Sequence, residues 1–355
     1  MTRETSPEPI IDPDLPIIDP HQHLWFQPKS ALAALEGLDD QGADIARMYS
    51  SHARYLFDDF LADATAGHDI RATVLVETHT MYRTTGPQEM RSVGEVEFAN
   101  GMAAMAASGV VTDIRIGAGI VGSVDLRIGD AVQGVLAAHM RAGGDRYRGI
   151  RPPGTFYDAK LNCFKDAFDA RPHILLEPLF RAGFKHLEPL RLSCDIYVLE
   201  PQLPELIDLA RAFPDTQIVL NHSGSPLGIG PYAGTLQQRF PLWRDNIREL
   251  SKSPNVAVKL GGLSCPYVGL PSSARERVPA CSEDMAPDWR PYIETCIEAF
   301  GVERCMFESN YPIEGVTAGY TTIWNTFKRV VSGASAREKR ALFHDTAARV
   351  YRLHV

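Results

Sequence analysis

Short apolar runs recur along this chain, and stretches of helical periodicity separate them. The runs read as eight buried strands: Ile17–Trp25, Ala72–His79, Ile114–Val121, Tyr147–Arg151, Ser193–Leu199, Thr216–His222, Val256–Gly262 and Arg304–Asn310. Most are rich in Val, Ile and Leu, with no alternation of polar positions in their first part, as strands buried on both faces require. Helices are expected at about 94–107, near 130–141, at about 175–190, after Pro204 at a first turn, and over 320–332 and 336–352. Strands alternating with helices predict a parallel sheet, and eight of them predict an α/β fold of the TIM (β/α)8 type. Residues 1–16, rich in Pro and acidic groups, read as an arm on the surface or disordered, and 17–355 as one barrel domain. Long segments at about 24–60, 80–95 and 263–288 read as βα loops walling a pocket, the first as a helix-containing lid.

Composition narrows the function. With 355 residues, 45% hydrophobic and a net charge of −8, the chain has no basic surface for nucleic acid or anionic membrane. Six scattered cysteines without C-x-x-C spacing read as reduced thiols of a cytoplasmic protein. The first residues carry no secretory pattern, and no apolar run is long enough to span a bilayer.

The polar residues that interrupt the strands lie late in them, where a barrel gathers its active site. They are His21, His23, Glu77, His79, Arg151, Asp195, His222, Lys259, Glu308 and Asn310. Period-two alternation places Asp19, His21 and His23 on one face above Ile17. Three imidazoles, His21, His23 and His222, suit a divalent metal with an open position, Asp19 orienting one ring from behind. Glu77 and Glu308 are the carboxylates for proton transfer or further ligation. Arg151 offers a fork for a substrate carboxylate, or pairs with Asp195 or Glu177; Lys259 holds an oxyanion, or pairs with Glu308. Asp195 and His79 are expected beside the substrate, and Trp25, Tyr82, Tyr267 and Tyr311 suggest a flat or cyclic ligand, or simply pack the loops. Gly117-Ala118-Gly119 lacks dinucleotide spacing, and Ser223 and Ser225 lack a nucleophile elbow.

Asp19-x-His21-x-His23, Gly149-Ile150-Arg151, Leu220-Asn221-His222-Ser223-Gly224, Lys259-Leu260-Gly261-Gly262-Leu263 and Met306 through Pro312 occur in order. This series resembles the amidohydrolase-related family, within the metal-dependent TIM-barrel hydrolases of the amidohydrolase superfamily. More narrowly it is similar to the branch of fuconolactonase-like and 2-pyrone-4,6-dicarboxylate-lactonase-like enzymes. The resemblance implies opening of a lactone of a carboxylated small molecule by activated water, with zinc or without metal. Relatives of that branch are non-oxidative decarboxylases of aromatic or unsaturated acids, which is the second reading, and family habit suggests a homodimer. One departure stands out. The family's last strand ends Gly-Ser-Asp-x-Pro, its aspartate binding metal or acting as base; here Asn310 holds that position and Glu308 replaces the glycine. Asparagine takes no proton at neutral pH, so Glu308 is expected to supply the carboxylate. A barrel weakened in catalysis that only binds a ligand is the third reading.

Overall fold

The computed structural model describes residues 8–27, 46–161, 170–274 and 279–355. Eight parallel strands follow one another round a barrel: β1 (Ile17–Gln22), β2 (Ile70–Val76), β3 (Arg115–Gly122), β4 (Tyr147–Ile150), β5 (Ser193–Ile196), β6 (Ile218–Leu220), β7 (Val256–Leu260) and β8 (Cys305–Phe307). The seam between β8 and β1 closes just past the strand ends. There Gln22 bridges Tyr311, the His23 amide donates to the Tyr311 carbonyl at 2.8 Å, and Asn310 N donates to the His21 carbonyl at 2.9 Å. This is the expected TIM barrel.

Two apolar layers make the core. Ile18, Ala72, Val74, Val76, Val121, Val219, Ala257 and Met306 fill the interior, and Ala347, Val350, Tyr351 and Leu353 join them from the end of the chain. The larger layer packs the outer strand faces against the surrounding helices. These are α1 (Phe57–Ala64), α2 (Val93–Ala107), α3 (Val132–Gly143), α4 (Pro178–Phe184), α5 (Leu203–Ala212), α6 (Leu236–Leu250), α7 (Ser282–Phe300) and α8 (Tyr320–Val330). The helix expected to reach about 190 is regular only to Phe184. The chain then turns on to a Schellman closure, with Arg191 at φ +55, Arg191 N bonded to the Glu188 carbonyl at 2.8 Å and Leu192 N to that of Leu187 at 3.0 Å.

Residues 8–16 of the N-terminal arm lie against α7 and α8. Glu8 accepts from Ser282 N at 2.7 Å, Ile11 N donates to Asn325 at 3.0 Å, and Lys328 Nζ donates to the Asp12 carbonyl at 2.8 Å. Of the expected lid, Trp25–Phe26 pairs antiparallel with Arg54–Tyr55, while residues 28–45 lie outside the described residues. No helix among the described residues is long and apolar enough to cross a membrane.

Candidate active site

The site begins with an irregularity in β1. Its pairing with β2 shifts register between Asp19 and Gln22, so the simple alternation expected from the sequence breaks there. Ile18 faces the barrel interior, while Ile17 packs in the outer layer. Asp19 does not look towards a histidine ring. Its carboxylate takes Ser309 Oγ at 2.5 Å, Ser309 N at 3.1 Å, Tyr320 OH at 3.1 Å and His21 N at 3.2 Å. Burial pushes it up to about 6 in spite of those hydrogen bonds. Asp19 therefore fastens β1 to the end of β8, and the shift turns His21 inward.

Inside, one carboxylate joins two histidines. Glu308 Oε2 lies 2.7 Å from His21 Nδ1, and Oε1 lies 2.8 Å from His222 Nδ1 and 2.9 Å from the His222 amide. Two glycines make this approach possible. A Cβ on Gly261 would stand 2.4 Å from Glu308 Cγ, and one on Gly262, itself at φ +72, would stand 2.4 Å from His222 Cβ. The ligating atoms of His21, His222 and Glu308 all lie within 4.8 Å of one another.

His23, the third imidazole of the expected set, is not in this cluster, although its ring lies 4.9 Å from that of His21. Its Nδ1 is 2.8 Å from the Val76 carbonyl, Nε2 is 3.3 Å from the Asn310 amide, and its ring stacks on Trp25. A carbonyl only accepts, so Nδ1 carries the proton, and in the neutral ring the Nε2 lone pair faces the Asn310 side chain. Burial first, and then Arg151, lower His23 to about 3, which keeps it neutral. Burial and then Lys259 likewise hold His21 far below the ordinary histidine value.

Buried ion pairs surround the three donors. Lys259 Nζ lies 2.7 Å from Asp195 Oδ2, which also takes Tyr351 OH at 2.7 Å, and 3.2 Å from His21 Nδ1. Arg151 Nε lies 2.6 Å from Glu77 Oε1, one terminal nitrogen 2.5 Å from the Glu77 carbonyl, and the other 3.2 Å from His21 Nε2. Burial works to raise Glu77, yet His79 and Arg151 leave it below its ordinary value. By formal charge, Arg151 balances Glu77 and Lys259 balances Asp195. Glu308 is left without a cation, and its Oε2 makes no hydrogen bond of proper geometry. Two imidazoles, an unbalanced carboxylate and an orphaned buried oxygen fit a divalent metal.

A cleft opens over this floor, lined by His23, Met48, Tyr49, Glu77, Thr78, His79, Arg151, Pro152, Pro153, Phe156, Tyr197, His222, Cys265, Tyr267, Asn310 and Ile313. Of the expected substrate contacts, Arg151 and His79 face it. Asp195 and Lys259 sit deeper, spent on each other. Trp25 is buried behind His23 with its indole N–H on the His52 carbonyl at 2.6 Å, and Tyr311 packs against His52, Tyr55 and Tyr320. The wall residues missed from the sequence are Tyr49, Phe156, Tyr197 and Cys265. Tyr197 directly follows β5 and Cys265 closely follows β7, so their positions past strand ends were the available signal.

The family's sequence profile, described as Amidohydrolase, matches residues 18–353. The uncharacterized protein y4mH of Sinorhizobium fredii is 34% identical over 341 residues, 96% of this chain and 99% of that one. L-fucono-1,5-lactonase of Burkholderia multivorans is 30% identical over 66% of this chain and 72% of its own length. A crystal structure of an amidohydrolase from Burkholderia multivorans with bound zinc superimposes with a TM-score of 0.70 at 24% identity, covering 95% of this chain and 99% of that one. The chain belongs to the amidohydrolase family, in its lactonase-like branch, and is an enzyme of the hydrolase type.

Proposed function

We propose that this enzyme opens a lactone that carries no carboxylate, with a divalent metal, zinc by preference, held by His21, His222 and Glu308. The observation that carries this reading is the charge pattern of the site. Among the described residues lining the cleft, Arg151 is the sole Lys or Arg, and Glu77 already balances it. Among these described residues a substrate carboxylate would find no uncommitted side-chain cation, which counts against a carboxylated lactone. Among the described residues, Arg151 spends three of its five N–H groups, leaving two for neutral oxygens such as a lactone carbonyl or hydroxyls. Tyr49, Tyr197, Tyr267 and Phe156 supply the flat apolar wall that a ring uses. The L-fucono-1,5-lactonase relative supports the same class, its named substrate being a sugar lactone.

A metal on this donor set supplies Lewis-acid polarisation of the lactone carbonyl and a water acidified towards neutrality. The protein's part is orientation and charge. Glu308 fixes the His222 ring through Nδ1 and its main chain through the amide. His23 and Asn310 adjoin at the floor of the cleft. Arg151 stands where the carbonyl oxygen gains charge.

The test is hydrolysis of neutral sugar lactones against 2-pyrone-4,6-dicarboxylate, with metal content measured on the same preparations. Neutral lactones should be turned over faster. Glu308→Gln should lose both the metal and at least 100-fold in rate, whereas His23→Gln should keep its metal. Preference for the dicarboxylate, or full metal in Glu308→Gln, would overturn the assignment.

A further inference from the structure

Glu95, the third residue of α2, is buried behind the cleft, and the site described above makes no direct use of it. Its Oε1 accepts from Thr78 N at 2.8 Å and Thr80 N at 3.2 Å. These two amides flank His79, a cleft residue held at φ +57, with Met81 at φ +54 just beyond. Such angles are uncommon for residues with a Cβ and persist where the surroundings impose them. Gly94 adds a second anchor, because a Cβ there would stand 2.5 Å from the Met81 carbonyl and 2.9 Å from Arg83 N. The N-terminal turn of α2 thus lies directly on the backbone of this loop.

We propose that Glu95 is a positioning residue for the reaction: it hangs the loop Thr78–Thr80 from α2 and thereby fixes Glu77 and Arg151 against His21. The links are short and continuous. Glu77 immediately precedes Thr78, and both its carboxylate and its carbonyl hold the Arg151 guanidinium, which reaches His21 Nε2. A loop released from Glu95 frees the Glu77 carbonyl to turn away and loosens both of its holds on Arg151. Burial, and then the charge of Glu77, push Glu95 up to about 8, so it is mostly protonated at pH 7. That spares the site a second negative charge beside Glu77, while a carboxyl oxygen still accepts both amides. A small cavity lined by Glu77, Glu95 and apolar side chains of β2, β3 and α2 lies behind them, and Oε2 of each glutamate is buried without a hydrogen bond, that of Glu77 standing 3.5 Å from His79 Nδ1.

The effect on turnover rests on the lactonase reading, but the clamp itself does not, so the experiment reads both. Amide hydrogen exchange is followed in the full chain for the wild type, Glu95→Gln and Glu95→Leu. Gln keeps an acceptor oxygen without the charge, so its Thr78–Thr80 amides should stay protected; in Leu they should exchange at least 10-fold faster, with β5–β7 unchanged. On a neutral lactone, Gln should stay within a few-fold of wild type, and Leu should lose at least 10-fold in kcat/KM, chiefly through KM. Unchanged loop protection in Leu, or equal loss of protection in Gln and Leu, overturns the proposal. Should Leu fail to fold, faster loop exchange in Gln alone would overturn it. If no lactone is turned over by the wild type, the functional reading fails and the exchange data still decide the clamp.

Discussion

Asp19 has no exposure to water, and hydroxyls and main-chain amides alone hold it. Its burial raises its folded pKa to about 6 from an ordinary 3.8, the direction opposite to that of a salt-bridged carboxylate. The folded state therefore binds this proton more tightly than the unfolded chain does. Its contribution to stability is greatest below the unfolded value, falls as pH rises between the two, and reaches its full cost above 6. At about 1.4 kcal/mol per unit the swing is roughly 3 kcal/mol. Asp19→Asn carries no such charge, so denaturant unfolding of the two proteins should show the wild type gaining on the variant by up to about 3 kcal/mol between pH 7 and 3.5. A difference independent of pH would mean that folding leaves the Asp19 pKa at its unfolded value. The same logic explains the last strand. Asparagine at 310 suits a place where a neutral imidazole and a neutral thiol are its neighbours, Cys265 being held protonated by burial. The carboxylate has moved to position 308, between His21 and His222.

At the scale of elements, Gly261 and Gly262 decide how closely β7 approaches its neighbours. Alanine at 262 meets two costs: a left-handed backbone, about 1–2 kcal/mol, and a Cβ within 2.4 Å of His222 Cβ. Gly234 is a control within the same molecule, with the same φ of +72 and nothing within 4 Å of its would-be Cβ. Gly234→Ala should cost the backbone term alone in thermal unfolding, whereas Gly262→Ala should cost more and displace His222, abolishing metal retention. Equal effects would mean that β7 yields without disturbing the site. The eight strands were legible because buried parallel strands write themselves as short, mostly apolar runs, and the late polar residues did converge. The helices α6 and α7 were not placed from sequence, since Pro241, Pro287 and Pro291 lie inside them and proline ordinarily breaks a helix. The face of Asp19 was hidden for a different reason. Period two holds only while register holds, and a shift within β1 leaves no composition signal. The commitment of Arg151 to Glu77 joins residues 74 apart in sequence, so only the closed barrel reveals it.

For the molecule as a whole, the three donors come from β1 and from just past the ends of β6 and β8, so a metal held by them would tie the barrel across its closing seam. That seam is thinly made, with one bridge and two nearby main-chain hydrogen bonds past the strand ends, while β2 and β3 pair along most of their length. Whatever binds the folded state alone stabilises it by mass action, by about 4 kcal/mol when the free ligand is 1,000 times its Kd. The stabilisation should be unevenly spread. Stripping the metal with a chelator should lower Tm by several degrees and should speed exchange chiefly at His23 N and Asn310 N, the amides that close the seam, leaving β3 to β5 protected. Restoring zinc should reverse both effects. In Glu308→Gln neither chelator nor zinc should move Tm, because the carboxylate that bridges the two histidines is gone. A uniform rise in exchange around the barrel would instead mean that the metal acts on global stability from outside the seam, and the three-donor site would have to be abandoned.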